Sequence, residues 1–132
     1  MIISIMQPGY IPWLGFFELM ANCEIFVLLD DVQYDKKSWR NRNKIRTING
    51  WMWLTVPVLQ KNRRGQKINE VVINNDYPWR EKHLKALKFN YAKSGYYGEY
   101  IGFFERLYKK NWDYLVDLDI EIISFMAKSF DI

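Results

Sequence analysis

Apolar and polar positions in the first part of the chain follow a strand–helix–strand pattern. Residues 2–6 (IISIM) and 25–29 (IFVLL) are short apolar runs, which predict two buried strands. Between them, residues 13–22 carry a helical pattern, with Leu14 and Phe17 spaced to face the core and Pro12 suited to the helix start. This order predicts a compact βαβ unit with parallel strands and a right-handed crossover.

A hairpin is predicted next, around Asn49-Gly50. Its arms are residues 43–48 and 51–58, and the second arm (WMWLTVPV) alternates its side chains between two faces. Asn-Gly is a strong turn signal because both central positions of a tight hairpin turn need a positive φ. Pro57 indicates that this arm lies at a sheet edge or ends near a bulge.

The rest of the chain is predicted to be mainly helical. Residues 70–74 suggest a further strand, and residues 78–93, 98–110 and 112–130 have the spacing of three amphipathic helices. The predicted fold is therefore α/β, with a small, mainly parallel sheet, an antiparallel hairpin and C-terminal helices. At 132 residues it is expected to form a single α/β domain, residues 1–132.

Positive charge is concentrated in one segment. Residues 36–67 carry ten Lys and Arg side chains and no Asp or Glu, whereas the remaining residues carry nine basic and fifteen acidic groups. Such a separation of charge along the chain indicates what the protein binds rather than how it folds. It predicts an anionic partner: a phosphorylated small molecule, a nucleic acid, a glycan or lipid phosphate, or an acidic protein surface.

Other classes of protein fit the composition poorly. The single cysteine, Cys23, cannot form an internal disulfide, and one Cys with one His argues against a zinc site of the usual ligand types. His83 is expected at the surface of a helix. No apolar stretch has the length of a membrane span, so no span and a cytoplasmic location are expected.

Polar and aromatic side chains follow both predicted strands at their carboxyl ends. Ligands bind beyond these ends in open α/β sheets. If the strands are neighbours, one crevice is flanked by Gln7, Tyr10 and Trp13 after the first strand and by Asp30, Asp31, Gln33 and Tyr34 after the second. The N-terminus of the first helix adds free N–H groups suited to a phosphate. The alternative is that these are plain turn and helix-capping residues.

The basic segment begins with a second candidate feature, DDVQYDKKSWRNRNKI. In a strand, Arg40 and Arg42 would share one face, with Trp39 and Asn41 on the other, and each guanidinium could bind a phosphate through two N–H groups. A solvated basic face is the simpler alternative. A third possibility is single-stranded nucleic acid, whose bases could stack on the tryptophans of the hairpin.

Three long motifs carry a resemblance to a known family. MQPGYIPWLGFFELM, FVLLDDVQYDKKSWRNRNKI and NGWMWLTVPV together resemble the WbqC-like family, and the similarity continues more loosely through Asp76-Tyr77-Pro78-Trp79 and the helices that follow. The resemblance implies a role in bacterial O-antigen and surface-polysaccharide biosynthesis, with acyl or aminoacyl transfer to an amino sugar as the implied chemistry. Because family members are longer, it also implies that this chain is either the N-terminal part of a longer protein or a short member of the family.

These observations lead to one leading hypothesis, group transfer on a nucleotide-linked sugar. Arg40, Arg42 and the first helix would hold phosphate, and Tyr10, Trp13 and Trp39 would stack on sugar or base. Asp30 or Asp31 would act as general base or hold Mg²⁺, the cofactor being otherwise unknown. Two alternative functions stay open: a non-catalytic module that binds a glycan precursor or a protein partner, and a single-strand nucleic-acid binder. The protein could also form a homo-oligomer.

Overall fold

The computed structural model describes all 132 residues and begins with the predicted βαβ unit. Strand β1 (Ile3–Met6) pairs in parallel with β2 (Ile25–Leu28), and helix α1 (Leu14–Ala21) connects them. Phe16 and Phe17 of α1 pack on one face of this two-stranded sheet. The predicted α/β class, with its parallel start, is confirmed.

The two parallel strands are less buried than their apolar sequences predict. Ile3, Ile5, Ile25 and Val27 are exposed, because successive side chains of a strand point to opposite faces and α1 covers only one face. Leu14 was expected to face the core but is 71% exposed. The core contacts of α1 come instead from its two adjacent phenylalanines.

The hairpin is confirmed as an antiparallel pair, β3 (Arg42–Thr47) and β4 (Gly50–Thr55). The register pairs Thr47 with Gly50, so the two turn residues are Ile48 and Asn49, one position earlier than Asn49-Gly50. Neither turn residue has a positive φ, whereas Gly50 has φ +132°. Glycine is needed here because L side chains rarely adopt that conformation.

The strand predicted at residues 70–74 is wrong. The chain forms a single 3-10 turn (Ile68–Glu70), followed by two isolated bridges that join Val72 to Tyr114 and Ile73 to Val58. Each of these pairings ends after a single bridge, so neither neighbouring segment forms a continuous ladder with residues 70–74. The apolar pattern reflects burial, since Val71 and Ile73 both lie in the core.

Three helices complete the fold, as predicted: α2 (Trp79–Tyr91), α3 (Tyr97–Lys109) and α4 (Leu115–Ser129). The main core lies between these helices and the inner face of the hairpin, and its buried members include Ile45 and Leu54 of the hairpin and Leu118 and Ile122 of α4. None of the helices combines the length and apolar character needed to cross a membrane.

Candidate functional site

The residues predicted to share one crevice do not all meet: some line one of two separate cavities and the others line neither. The first, which we call the tryptophan cavity, has a volume of about 290 Å³ and lies between the β1–α1 loop and the segment before β3. It is lined by Met6, Gln7, Gly9, Pro12, Trp13, Phe16, Trp39, Arg40 and Asn43. Trp13 and Trp39 remain 65% and 48% exposed, so indole surface is available to a ligand.

Close backbone contacts hold the two walls of the tryptophan cavity together. The Tyr10 backbone N–H donates to the Arg40 carbonyl at 3.1 Å, and the Asn43 side-chain amide donates to the Ile11 carbonyl. A Cβ on Gly9 would lie 3.1 Å from the Trp39 carbonyl oxygen, so glycine allows the loop to approach closely. Ile11 has φ +47°, a conformation unfavourable for a β-branched residue.

The Arg40 side chain reaches from the segment before β3 to the β1–α1 loop. Its Nη1 donates to the carbonyl oxygens of Gln7 at 2.8 Å and Pro8 at 3.1 Å, while its buried Nε has no hydrogen-bond partner. Arg40 thus fastens the β1–α1 loop and is also one of the residues that line the cavity.

The second cavity, which we call the basic cavity, has a volume of about 670 Å³. It is lined by Gln33, Tyr34, Asp35, Lys36, Lys37, Arg63, Arg64, Gly65 and Gln66. It forms where two segments pair: Gln33 bridges to Lys67, and the Tyr34 backbone N–H donates to the Gln66 carbonyl at 2.9 Å. Gln33 and Tyr34 therefore face a different space from Gln7 and Trp13.

Two predicted binding residues are held inside the fold. Tyr10 is fully buried, and its side chain does not line either cavity. Asn41 is also buried, and its side-chain amide donates to the Val56 carbonyl at 2.9 Å. In this fold both side chains are positioned to support the walls rather than to reach a ligand.

Asp30 and Asp31 follow β2 at the sheet's carboxyl end, as predicted, but they line neither cavity. Asp30 is partly exposed and accepts a long hydrogen bond of 3.4 Å from the Asn69 amide. Asp31 is exposed. The fold contains no group of three or more His, Cys, Asp or Glu side chains that could hold a metal ion.

Arg42 lies apart from Arg40, on the outer face of the hairpin. Its guanidinium lies 4.6 Å from the Trp53 ring centroid, and the Lys44 ammonium lies 3.7 Å from the Trp51 ring centroid. The two arginines do not share a face because β3 begins only at Arg42, after Arg40 has turned towards the β1–α1 loop. None of the ten basic side chains of residues 36–67 forms an ion pair.

Comparison with known proteins agrees with this arrangement of motifs. The model of the WbqC-like protein family matches residues 7–132, nearly the whole chain. The chain belongs to the WbqC-like protein family. An uncharacterized protein of Mycobacterium tuberculosis, Rv1507c, is 45% identical over 97 residues, which cover 74% of this chain and 42% of that protein. The chain thus matches less than half the length of this relative. No solved structure matches it.

This WbqC-like chain also buries its only histidine, which corrects the expected surface position of His83. Its Nε2 lies 3.1 Å from the Thr55 carbonyl oxygen, and its Nδ1 lies 2.7 Å from the Tyr10 hydroxyl. Because a carbonyl only accepts, Nε2 carries the hydrogen and Nδ1 accepts from Tyr10. The Tyr10 hydroxyl in turn accepts from the Tyr108 hydroxyl. Burial lowers the pKa of His83 to about 4, so the ring is neutral at pH 7.

The sequence reasoning missed Asp119, a fully buried carboxyl group on α4 of this WbqC-like chain. Neither of its oxygens has a hydrogen-bond partner. Burial raises its pKa well above the usual range, and the nearby Arg40 charge opposes that shift.

The signal for the buried position of Asp119 was present in the sequence: Asp119 lies four residues after Leu115 and three before Ile122, on the apolar stripe of the helix. His83 occupies the same kind of position between Trp79 and Leu87.

Proposed function

We propose that this WbqC-like chain binds a nucleotide-linked sugar and takes part in group transfer during bacterial surface-glycan biosynthesis. The observation that carries the proposal is the tryptophan cavity, where two exposed indoles and one arginine converge beside a helix N-terminus. Its volume of about 290 Å³ is at the lower end for small-molecule sites and suits one ring of such a ligand.

The indoles supply the apolar part of the recognition. Trp13 and Trp39 stand on opposite walls, on the α1 side and the β3 side of the cavity. Flat aromatic faces match the apolar face of a sugar ring or a base, and exposed tryptophans gain favourable burial when such a ring covers them. A sugar or base between these walls is therefore the ligand part that the cavity suits best.

The charged part of the recognition would come from Arg40 and the start of α1. Trp13 precedes α1 with an extended backbone and makes no side-chain cap; the Phe16 N–H donates to the Trp13 carbonyl at 3.0 Å, which leaves the N–H groups of Leu14 and Gly15 open. A helix N-terminus carries partial positive charge and favours a phosphate. Arg40 adds a full charge from the facing wall, so one phosphate of the ligand can be held from two sides.

The transfer step that we propose is acylation or aminoacylation of an amino sugar. The amine nitrogen forms a bond to the carbonyl carbon of an activated ester or thioester, the carrier leaves with the electron pair of the broken bond, and a carboxylate takes the amine proton. Asp30 and Asp31 are the proposed bases. Both follow β2 at the end where Leu28 pairs with Met6, a residue that lines the cavity, although neither carboxylate lines the cavity itself.

Binding can be tested by isothermal titration calorimetry with UDP-, dTDP-, GDP- and CDP-linked sugars. We expect selective binding of one class, weakened at least about tenfold by Trp13→Ala, which corresponds to about 1.4 kcal/mol. Trp51→Ala is the matched control, because Trp51 is similarly exposed but lies outside the cavity. Equal losses in the two variants, or no binding by the wild-type chain, would contradict the proposal.

Catalysis needs a separate assay, in which mass spectrometry follows transfer from acyl donors to the bound amino sugar. Asp31→Asn is expected to abolish transfer while sugar binding persists. Undiminished transfer in Asp31→Asn together with Asp30→Asn would exclude these carboxylates as bases. Sugar binding without transfer from any donor would favour the non-catalytic binding module.

A second function, single-strand nucleic-acid binding, is favoured by the outer face of the hairpin. Lys44 and Arg42 lie over Trp51 and Trp53, and no acidic side chain pairs with them. Bases could stack on these indoles while the cations meet phosphates. This function predicts an affinity that falls steeply with salt and is reduced by Trp51→Ala but not by Trp13→Ala.

A further inference from the structure

We propose that the basic cavity is a binding site for a polyphosphate group, a di- or triphosphate, distinct from the tryptophan cavity. Four of its nine lining residues are Lys or Arg, and only one is acidic. The cations come from two separate loops: Lys36 and Lys37 from one wall, and Arg63 and Arg64 from the other. A multiply charged anion between these walls would be contacted from both sides.

The positive charge of this cavity is not neutralised within the fold. None of the four cations forms an ion pair. The single acid, Asp35, is occupied locally, because its carboxylate accepts the backbone N–H of Lys37 at 2.9 Å. Four like charges around one space repel each other, and a bound anion would remove that repulsion.

The two walls are joined by backbone hydrogen bonds, so the cations converge without folding of a new segment. The Tyr34 N–H donates to the Gln66 carbonyl at 2.9 Å, and the Ile68 N–H donates to the Val32 carbonyl at 2.9 Å. The connecting loop turns at Gly65, with φ +69°, a conformation that glycine adopts readily. A site whose walls are already in place loses less entropy when it binds its ligand.

Unpartnered polar atoms in the same walls give a second, independent indication of a ligand. The side-chain amide of Gln66 is buried at both its nitrogen and its oxygen, and neither atom has a hydrogen-bond partner. The Tyr34 hydroxyl has none either, but it belongs to the buried core and the Asp119 charge acts on it, so it faces the interior rather than the cavity. Buried polar groups in proteins are normally hydrogen-bonded, and the Gln66 amide would gain a partner if its side chain turned towards a phosphate oxygen in the cavity.

The shape and lining favour a polyphosphate over a single phosphate or a nucleic acid strand. A volume of about 670 Å³ is more than one phosphate needs and lies within the usual range for small-molecule sites. Single-strand binding depends on exposed aromatic faces, whereas the only aromatic residue here, Tyr34, is 5% exposed. Recognition in this cavity must therefore rest on charge and hydrogen bonds.

The test is calorimetry at constant ionic strength with inorganic phosphate, pyrophosphate and tripolyphosphate. We expect affinity to rise in that order, and the Arg63→Gln/Arg64→Gln variant to bind tripolyphosphate at least tenfold more weakly. Lys82→Gln/Lys85→Gln removes the same charge from the exposed side of α2 and is expected to change the affinity less than twofold. The probes could also reach the phosphate contact proposed at Arg40, but Arg63 and Arg64 line only the basic cavity, so a loss in their variant reports on this site and not on the function proposed for the tryptophan cavity.

Further variants separate this site from the alternatives. Gln66→Leu removes the unpartnered amide without changing charge and is expected to weaken binding severalfold, while Trp13→Ala leaves it unchanged. No saturable binding of tripolyphosphate, or an equal loss in the Lys82→Gln/Lys85→Gln control, would overturn the proposal. Preferential binding of a single-stranded oligonucleotide that depends on Arg63 and Arg64 would overturn it as well.

Discussion

The buried His83 makes the stability of this protein depend on pH in a defined direction. In the unfolded chain its imidazole takes up a proton near pH 6.5, whereas burial lowers the pKa in the folded state to about 4. Between these values the unfolded state binds more protons than the folded state. His83 therefore contributes stability that is fully present above pH 6.5 and is lost as the pH falls towards 4.

The size of this effect follows from the two pKa values. Each pKa unit corresponds to about 1.4 kcal/mol, so the contribution lost between pH 7 and pH 4 is about 3 kcal/mol. This is a large part of the stability of a small domain. Tyr10 and Tyr108 contact the ring but keep their protons throughout this range, because burial raises both pKa values. The Asp119 carboxyl changes stability with pH in the opposite direction, so the contribution of His83 must be measured by comparing the wild type with a His83 variant.

Two measurements check this prediction. His83 is the only histidine, so its ring signal in an NMR titration needs no assignment among several candidates, and it should titrate well below pH 6. In urea unfolding, His83→Gln should lose about 2 to 3 kcal/mol less than the wild type between pH 7 and pH 4.5. A ring that titrates near pH 6.5 in the folded protein, or equal pH slopes for both proteins, would refute the reasoning.

Two further predictions concern a buried carboxyl group and the hairpin turn. Because burial raises the pKa of Asp119, stability should fall as the pH rises from the ordinary carboxyl pKa of 3.8 towards the raised folded pKa, and Asp119→Asn should gain unfolding free energy relative to the wild type over that rise. A constant difference in urea unfolding would contradict this. Gly50→Ala should cost at least about 1 kcal/mol because φ is +132°, whereas Gly95→Ala, at a position without positive φ, should be neutral or slightly stabilising; similar thermal unfolding of both would contradict the strain.

Much of the fold could be predicted from local patterns. The βαβ start, the hairpin and the three C-terminal helices each have a period or turn signal within their own residues. The strand prediction for residues 70–74 was wrong because a short apolar run indicates that side chains are buried, but it does not indicate which residues the backbone N–H and C=O groups bond to. Here the backbone bonds to residues 57 and 59 on one side and to residues 113 and 115 on the other, and each pairing ends after a single bridge.

The candidate site was predictable only in part. Trp13, Trp39 and Arg40 do meet in one cavity with Gln7, because all come from loops next to β1 or before β3. The basic cavity forms only because the loop that carries Arg63 and Arg64 folds back against residues 33–37. Nothing in the local sequence fixes the distance between these two segments.

The sequence by itself determined the periodic elements, the glycine that the hairpin turn requires, and the segregation of ten basic side chains into residues 36–67. The tertiary structure alone decided which charges share a cavity and which polar groups lose water. The Tyr10 and Tyr108 hydroxyls meet across 98 residues of chain, and the contact of the Tyr10 hydroxyl with His83 exists only because three helices and a hairpin enclose it. Burial and pKa depend on such long-range packing, whereas helical and strand periodicity depend on neighbours a few residues away.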